Sequence, residues 1–126
     1  MKILIIGHSF IWEEHHKRLE YLCHLDKGLE LFLLVPSNVW PHPLKGPRKL
    51  EVTKSSSYHI IPSKIVFSGT YWRYMFLKIF LYLKNIRPDI IYVEQEPTSL
   101  IFIQVFLAKR IFCPKARVVI FSWQNI

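Results

Sequence analysis

The chain has 126 residues, 51% of them hydrophobic, and its 17 basic and 9 acidic residues give a formal net charge of +8. This length accommodates one domain, and so high an apolar content excludes intrinsic disorder for most of the chain. The positive charge favours anionic partners such as nucleic acid, anionic lipid or phosphorylated small molecules. Cys23 and Cys113 are too few for a disulfide scaffold, so we expect buried free thiols in a cytoplasmic protein. No apolar run reaches the ~18 residues that span a membrane.

The N-terminal segment predicts a strand followed by a helix. Ile3–Ile6 is a continuous apolar run, which is typical of a strand buried on both faces. Residues 12–26 follow a helical period, with Ser9 suited to the N-cap and Gly28 to the C-terminal stop. On the exposed side, the i,i+4 spacing pairs Glu13 with Lys17 and Glu14 with Arg18.

The middle of the chain is less regular. A second buried strand is predicted over Glu30–Val35, and residues 36–57 form a basic, proline-rich segment that favours a long loop. Two short strands are predicted as well, one within this segment at about Leu50–Thr53 and one after it at about Tyr58–Ile61. The apolar and aromatic residues that follow Ser68-Gly69-Thr70 predict a helix over residues 71–86.

The C-terminal third alternates strand, helix and strand. Pro88 ends the preceding helix, and Ile90–Val93 reads as a third buried strand. Pro97 fits the first position of a helix that runs to about Phe112, and Arg117–Phe121 reads as a last strand. This order predicts a Rossmann-like, doubly wound α/β fold with a mainly parallel sheet and flanking helices. Because no helix follows the last strand, we expect residues 1–126 to be one half of a larger protein.

Polar side chains follow the predicted strands at the sheet edge where open α/β folds bind ligands. Carboxylates and amides suit sugar hydroxyls, and an aromatic face suits the sugar ring. Glu94 is our first choice for a ligand-facing carboxylate, whereas Glu96 also suits the start of a helix beside Pro97. The four segments at this edge are Gly7-His8-Ser9-Phe10, Pro36-Ser37-Asn38, Glu94-Gln95-Glu96 and Ser122-Trp123-Gln124-Asn125.

The loop Gly7-His8-Ser9 has one glycine instead of a full dinucleotide fingerprint, so an anion contact and a purely structural turn both remain open. We expect no metal site and no cofactor. The adjacent His15 and His16 would point about 100° apart on a helix, and the spacing of the other histidines is not typical of metal ligands.

The predicted helix 71–86 has a mixed basic and apolar stripe. Two interpretations remain open: docking at an anionic membrane surface, where basic and aromatic residues cooperate, or packing against another domain. The stripe consists of Arg73, Leu77, Phe80, Lys84 and Arg87.

Three segments together resemble the group 1 (family 4) glycosyltransferases: Met1–Gly7, Arg87–Pro97 with its Arg-Pro-Asp, strand, Glu-x-Glu-Pro pattern, and Ala116–Ile126. The resemblance implies the N-terminal half of a GT-B fold in a retaining transferase. A C-terminal domain, absent from these 126 residues, would bind the nucleotide-sugar donor. The implied contacts to a glycan or lipid-linked acceptor are Glu94, Gln95, Glu96, Ser122, Trp123, Gln124 and Asn125. The loop near the donor phosphates would be Gly7, His8 and Ser9.

We therefore expect an acceptor-binding domain, inactive by itself and peripheral at the inner face of a membrane, with catalytic residues that the sequence does not assign. A stand-alone Rossmann-like binding or regulatory module is the alternative. Only the net charge favours nucleic-acid binding, so we expect no nucleic-acid partner. Binding dominated by phosphate contacts would show a steep salt dependence.

Overall fold

The computed structural model describes residues 1–37, 39–41, 44, 46–52, 54–70 and 72–122. Seven strands and three α-helices are distributed along this part of the chain. In order, they are β1 (Lys2–Ile6), α1 (Lys17–Leu25), β2 (Glu30–Pro36), β3 (His59–Ser63), β4 (Ile65–Val66), β5 (Met75–Phe76), α2 (Ile79–Ile86), β6 (Ile90–Glu94), α3 (Leu100–Phe112) and β7 (Arg117–Phe121).

Five strands form one sheet in the order β3-β2-β1-β6-β7, and every neighbouring pair in it is parallel. In register, Ile5 of β1 lies between Leu33 of β2 and Tyr92 of β6. The apolar runs that predicted β1, β2 and β6 are therefore the central strands, buried on both faces as such runs require. The Rossmann-like, mainly parallel α/β fold is confirmed.

The helices cover the two faces of the sheet unequally. The connection through α1 and the one through α3 run in opposite directions across the sheet, so right-handed crossovers place these helices on opposite faces. Helix α2 packs beside α3, with the rings of Phe80 and Phe112 6.3 Å apart. The buried residues of these two helices are Ile79, Leu83, Ile86, Ile101, Val105 and Ala108.

The predicted helix over residues 71–86 is wrong in its first half. Helix α2 begins at Ile79, because β5 forms a short antiparallel pair with β4. The Gln104 side chain holds the outer edge of β5: it accepts a hydrogen bond from the Phe76 N–H (3.1 Å) and donates one to the Phe76 carbonyl (2.7 Å). Arg73 and Leu77 therefore lie outside the helix, and the five-residue stripe predicted along it is not helical throughout.

Two predicted helix starts also differ from the structure. A first 3-10 turn covers His8–Ile11, and residues 12–26 are not one helix, because a second 3-10 turn, Glu13–His16, precedes α1. Ser9 lies inside the first turn and caps nothing. Helix α3 begins at Leu100 instead of Pro97, because the Ser99 hydroxyl caps it by accepting a hydrogen bond from Phe102 N–H at 3.3 Å.

The predicted strand Leu50–Thr53 is also wrong for its described part, which pairs with the 3-10 turns instead of with a strand. The Glu51 N–H donates to the Ile11 carbonyl at 3.0 Å, and the Glu51 carboxylate accepts from the Glu13 N–H at 2.8 Å. Thr53 lies outside the described residues. Cys23 and Cys113 are both buried free thiols. Among the residues described, no helix is long and apolar enough to cross a membrane.

Candidate functional site

Three of the predicted polar segments meet where β1, β6 and β7 end. Gly7 allows the close approach of the first two: a Cβ at this position would lie 3.2 Å from the Glu94 Cβ and 3.2 Å from the Phe10 ring. Because its φ is −178°, space and not backbone conformation requires glycine here. At the next strand end, the Ser122 hydroxyl donates to Glu96 Oε2 at 2.6 Å. These contacts bring Gly7 beside Glu94, and Ser122 beside Glu96, at the carboxyl edge of the sheet.

Glu94 is the centre of this site, and it lies below the surface with only 1% of its area exposed. Its Oε2 accepts a 2.6 Å hydrogen bond from Arg18 Nη2, which makes a salt bridge. Its Oε1 has no hydrogen-bond partner among the described residues. The Arg18 guanidinium also lies 4.9 Å from the centre of the Phe10 ring. One carboxylate oxygen is thus paired with Arg18. The other accepts no hydrogen bond from the described residues and is available to a hydrogen-bond donor of a ligand.

An aromatic cluster of His8, Trp40 and Tyr74 borders Glu94. The imidazole of His8 stacks on the Trp40 indole at 4.6 Å, and the Tyr74 ring meets Trp40 edge-on at 5.2 Å. Trp40 and Tyr74 are fully buried. Sequence reasoning missed both, since Trp40 lies in the proline-rich loop and Tyr74 in the stretch interpreted as a helix. The signal available was a large aromatic residue inside a polar loop, which is unfavourable unless the loop folds back onto the domain.

The aromatic cluster is electrically neutral at physiological pH. Burial, followed by repulsion from His15, lowers the pKa of His8 from its ordinary 6.5 to about 4. Burial raises the pKa of the Tyr74 phenol; a hydrogen bond with the His8 backbone opposes this shift, and the nearby Glu94 carboxylate adds to it. His8 therefore does not attract a phosphate by charge, and Tyr74 remains a hydrogen-bond donor.

Two buried groups of the polar segments at this sheet edge, Ser9 Oγ and Glu94 Oε1, have no hydrogen-bond partner among the described residues. A buried polar group without a partner costs about 1–3 kcal/mol, so such a concentration is unusual for a purely structural core. Together with the nearby Tyr74 hydroxyl, they form a set of one acceptor and two hydroxyls that fits a ligand with several hydroxyl groups.

Arg18 also borders an apolar cavity of about 260 Å³ between α1 and the sheet. The floor of this cavity includes Ile90 and Tyr92, which precede Glu94 on the same face of β6 because side chains alternate along a strand. The remaining lining residues are Ile3, Ile5, Phe10, Leu19, Leu22 and Leu31. Polar site and apolar cavity thus adjoin at Arg18 and Phe10.

His16 holds the 3-10 turns beside this site. Its Nε2 lies 2.6 Å from the Phe10 carbonyl, which only accepts, so Nε2 has the proton. Its Nδ1 then accepts from the Tyr58 hydroxyl, also at 2.6 Å. Sequence reasoning considered His16 only as a metal ligand. Its buried position between the turn and the following loop gives it a positioning role for Phe10.

The other predicted residues are distributed as follows. Gln95 is buried, Glu96 is half-buried and Ser122 is exposed. The Ser37 N–H donates to the Ser63 carbonyl at the end of β3, and Ser37 lines a different pocket together with Tyr82. Asn38, Trp123, Gln124 and Asn125 lie outside the described residues. The described chain contains no cluster of three or more metal-ligating side chains. Arg73, Leu77, Phe80, Lys84 and Arg87 are all exposed.

Replacing Arg18 by alanine should lower the free energy of unfolding by about 2 kcal/mol. Removing one partner of a fully buried ion pair costs about 3–5 kcal/mol, and here the guanidinium is half exposed, so the loss is smaller. Urea unfolding measures it. Lys17→Ala, an exposed change on the same helix, should stay within about 0.5 kcal/mol. Equal losses in the two variants would contradict a stabilising role for the pair.

The site thus combines a buried carboxylate, two hydroxyl groups, a neutral aromatic cluster and an adjoining apolar cavity. Comparisons of the chain with protein-family models, with curated protein sequences and with solved structures find no match. The chemistry of these residues is therefore the structural basis for a proposal about function.

Proposed function

We propose that the chain is the acceptor-binding domain of a retaining glycosyltransferase that moves a sugar from a nucleotide-sugar donor to a lipid-linked acceptor. The observation on which this depends is Glu94: a buried carboxylate with one unpartnered oxygen, located at the carboxyl edge of a parallel sheet. A carboxylate here accepts a hydrogen bond from an acceptor hydroxyl. The resemblance of residues 87–97 to the family's Glu-x-Glu-Pro segment supports the same assignment.

The apolar cavity favours a lipid-linked acceptor over a free glycan. A sugar hydroxyl at Glu94 places the adjoining part of the acceptor at Arg18, next to the cavity of about 260 Å³. Each CH₂ group of a hydrocarbon chain that is buried there stabilises the complex by about 0.8 kcal/mol. The pairing of a hydroxyl-binding edge and an apolar cavity fits an amphiphilic substrate.

A second domain, on the same or another polypeptide, would bind the donor. This division agrees with the neutral state of His8, since the loop of residues 7–9 has no positive charge for the donor phosphates at physiological pH. The loop then faces the donor through its backbone and the uncharged imidazole only. We expect the 126-residue chain to bind acceptors without transferring sugar.

The substitution Tyr74→Phe tests the proposal, because it removes the hydroxyl near Glu94 and keeps the aromatic ring. The free energy of unfolding should change by no more than about 1.5 kcal/mol, which is the net contribution of one hydrogen bond such as that with the His8 backbone. Affinity for octyl glycosides should fall about fivefold or more if the hydroxyl binds the sugar. Saturation-transfer difference NMR and isothermal calorimetry over a panel of octyl and methyl glycosides give the affinities.

Two further comparisons make the result specific. Octyl glycosides should bind more tightly than the matched methyl glycosides, and Glu94→Gln should weaken both, whereas the exposed Glu14→Gln should weaken neither. A folded chain that binds no glycoside of the panel would overturn the proposal and favour a stand-alone module. Weakened binding in Glu94→Gln but not in Tyr74→Phe would keep the site and remove Tyr74 from it.

A further inference from the structure

The outer surface of the helical layer formed by α2 and α3 is apolar. The buried residues of both helices face the sheet, so the opposite sides face outward. Five large apolar residues there are 47–64% exposed: Leu81, Ile103, Phe106, Leu107 and Ile111. On α3, the last four occupy positions i, i+3, i+4 and i+8, which places them on one outer face. We call this surface the α2–α3 face.

The charges of the α2–α3 face are all positive. Lys84 of α2 and Arg110 of α3 are exposed and lie one helical turn from apolar members, Lys84 from Leu81 and Arg110 from Phe106 and Leu107. The sequence has no Asp or Glu between residues 52 and 88, and none from Pro97 onward. Apolar side chains and cations therefore alternate here without an acidic group to balance them.

We propose that the α2–α3 face docks on the surface of an anionic lipid bilayer. An apolar face with basic residues among its members is the pattern of helices that lie in the membrane interface. A second copy of the chain would present the same positive charge and be repelled, which argues against self-association through this face. Each cation close to an anionic bilayer contributes about 1 kcal/mol, or about fivefold in binding.

Trp72 extends the α2–α3 face at one end. It is 61% exposed, and its carbonyl accepts a 2.9 Å hydrogen bond from the N–H of Leu100, the first residue of α3. An indole ring prefers the headgroup level of a bilayer, because one side of it is apolar and its N–H is polar. The backbone bond places Trp72 beside the N-terminus of α3, the helix that supplies most of the face.

This surface replaces the stripe that the sequence predicts along residues 71–86. Only Phe80, Lys84 and the cap residue Arg87 of that stripe belong to α2 as observed, and α3 provides most of the apolar area. Docking through it is independent of the glycosyltransferase proposal, because it uses none of the residues around Glu94.

Co-sedimentation of the 126-residue chain with vesicles tests the docking. Equimolar phosphatidylglycerol–phosphatidylcholine vesicles should bind the chain, and pure phosphatidylcholine vesicles should bind it much more weakly. Lys84→Glu combined with Arg110→Glu should weaken binding to anionic vesicles by about 25-fold or more, from about fivefold for each cation. Leu81→Ser combined with Leu107→Ser should weaken it about tenfold, because less apolar area is buried.

The matched control is Lys17→Glu combined with Lys27→Glu, which changes the net charge equally on the other side of the sheet. It should weaken binding by less than about threefold, since those charges lie beyond the Debye length from the bilayer. Brominated lipids should quench tryptophan fluorescence in the parent chain and less in Trp72→Phe. Equal losses of binding in the two charge-pair variants would overturn the proposal, and so would an absence of binding to anionic vesicles. In the second case, a dimer that Leu81→Ser/Leu107→Ser dissociates would identify a second copy of the chain as the occupant of the face.

Discussion

Replacing Trp40 by alanine should lower the free energy of unfolding by about 3–5 kcal/mol. Trp40 is fully buried, stacks on His8 and meets Tyr74 edge-on, so its removal leaves a cavity that the surrounding backbone can only partly fill. It also attaches the long loop after β2 to the sheet edge, with backbone hydrogen bonds in both directions to Arg48 (2.7 and 2.8 Å). Equilibrium urea unfolding followed by tryptophan fluorescence or circular dichroism measures the loss.

Trp72→Ala provides a matched control with the same change of side chain. Trp72 is exposed, so this variant should stay within about 0.5 kcal/mol of the parent. Trp40→Ala should also hydrate His8 and move its pKa upward from about 4 toward 6.5, which an NMR titration of the imidazole detects. A Trp40→Ala variant as stable as Trp72→Ala would show that the loop is not attached as described.

Acid should destabilise the protein through His8 before most carboxylates titrate. The folded-state pKa is lowered to about 4 and the unfolded value is 6.5, so both states are uncharged at His8 above pH 7. As the pH falls through 6.5, the unfolded chain takes up a proton that the folded chain refuses until about pH 4. Stability therefore falls in this window, by about 2.5 kcal/mol at pH 4.5 relative to pH 7.5.

Urea unfolding at pH 7.5 and 4.5, in the parent chain and in His8→Gln, isolates this effect. The variant removes the titrating group, so its loss between the two pH values should be smaller than that of the parent by about 2.5 kcal/mol. His24→Gln, an exposed histidine on α1, should leave the pH dependence unchanged. An identical pH dependence in the parent and His8→Gln would contradict the burial of an uncharged imidazole.

The parallel sheet could be predicted because its central strands are buried on both faces. Ile3–Ile6 and Ile90–Val93 are unbroken apolar runs, and such runs, bounded by Gly7 and Pro88, do not depend on distant residues to be recognised. The wrong prediction of a helix over residues 71–86 could not be avoided from the apolar pattern, because apolar periodicity does not distinguish a helix from a hairpin that packs on a helix. The Ser68-Gly69-Thr70 turn and the aromatic residues after it were the available hairpin signal.

The candidate site could be predicted in its position but not in its contacts. Glu94 was recognisable because it follows a buried strand, and the topology then places it beside Gly7. Its partner Arg18 was not recognisable: local spacing pairs Arg18 with Glu14, whereas the folded chain pairs it with a carboxylate 76 residues away. Trp40 and Tyr74 likewise meet His8 only through long-range packing.

The central position of β1 has a consequence for synthesis on the ribosome. One edge of β1 pairs with β2, where Ile3 is aligned with Leu31, and the other pairs with β6, where Ile3 is aligned with Ile90. At roughly 5–20 residues per second, Ile90 is synthesised about 3–12 s after Leu31. During that interval the β1–β2 pair has an open, strongly apolar edge that can pair with another nascent chain. β1 therefore gains its second neighbour only late in synthesis, although it is the central strand of the complete sheet.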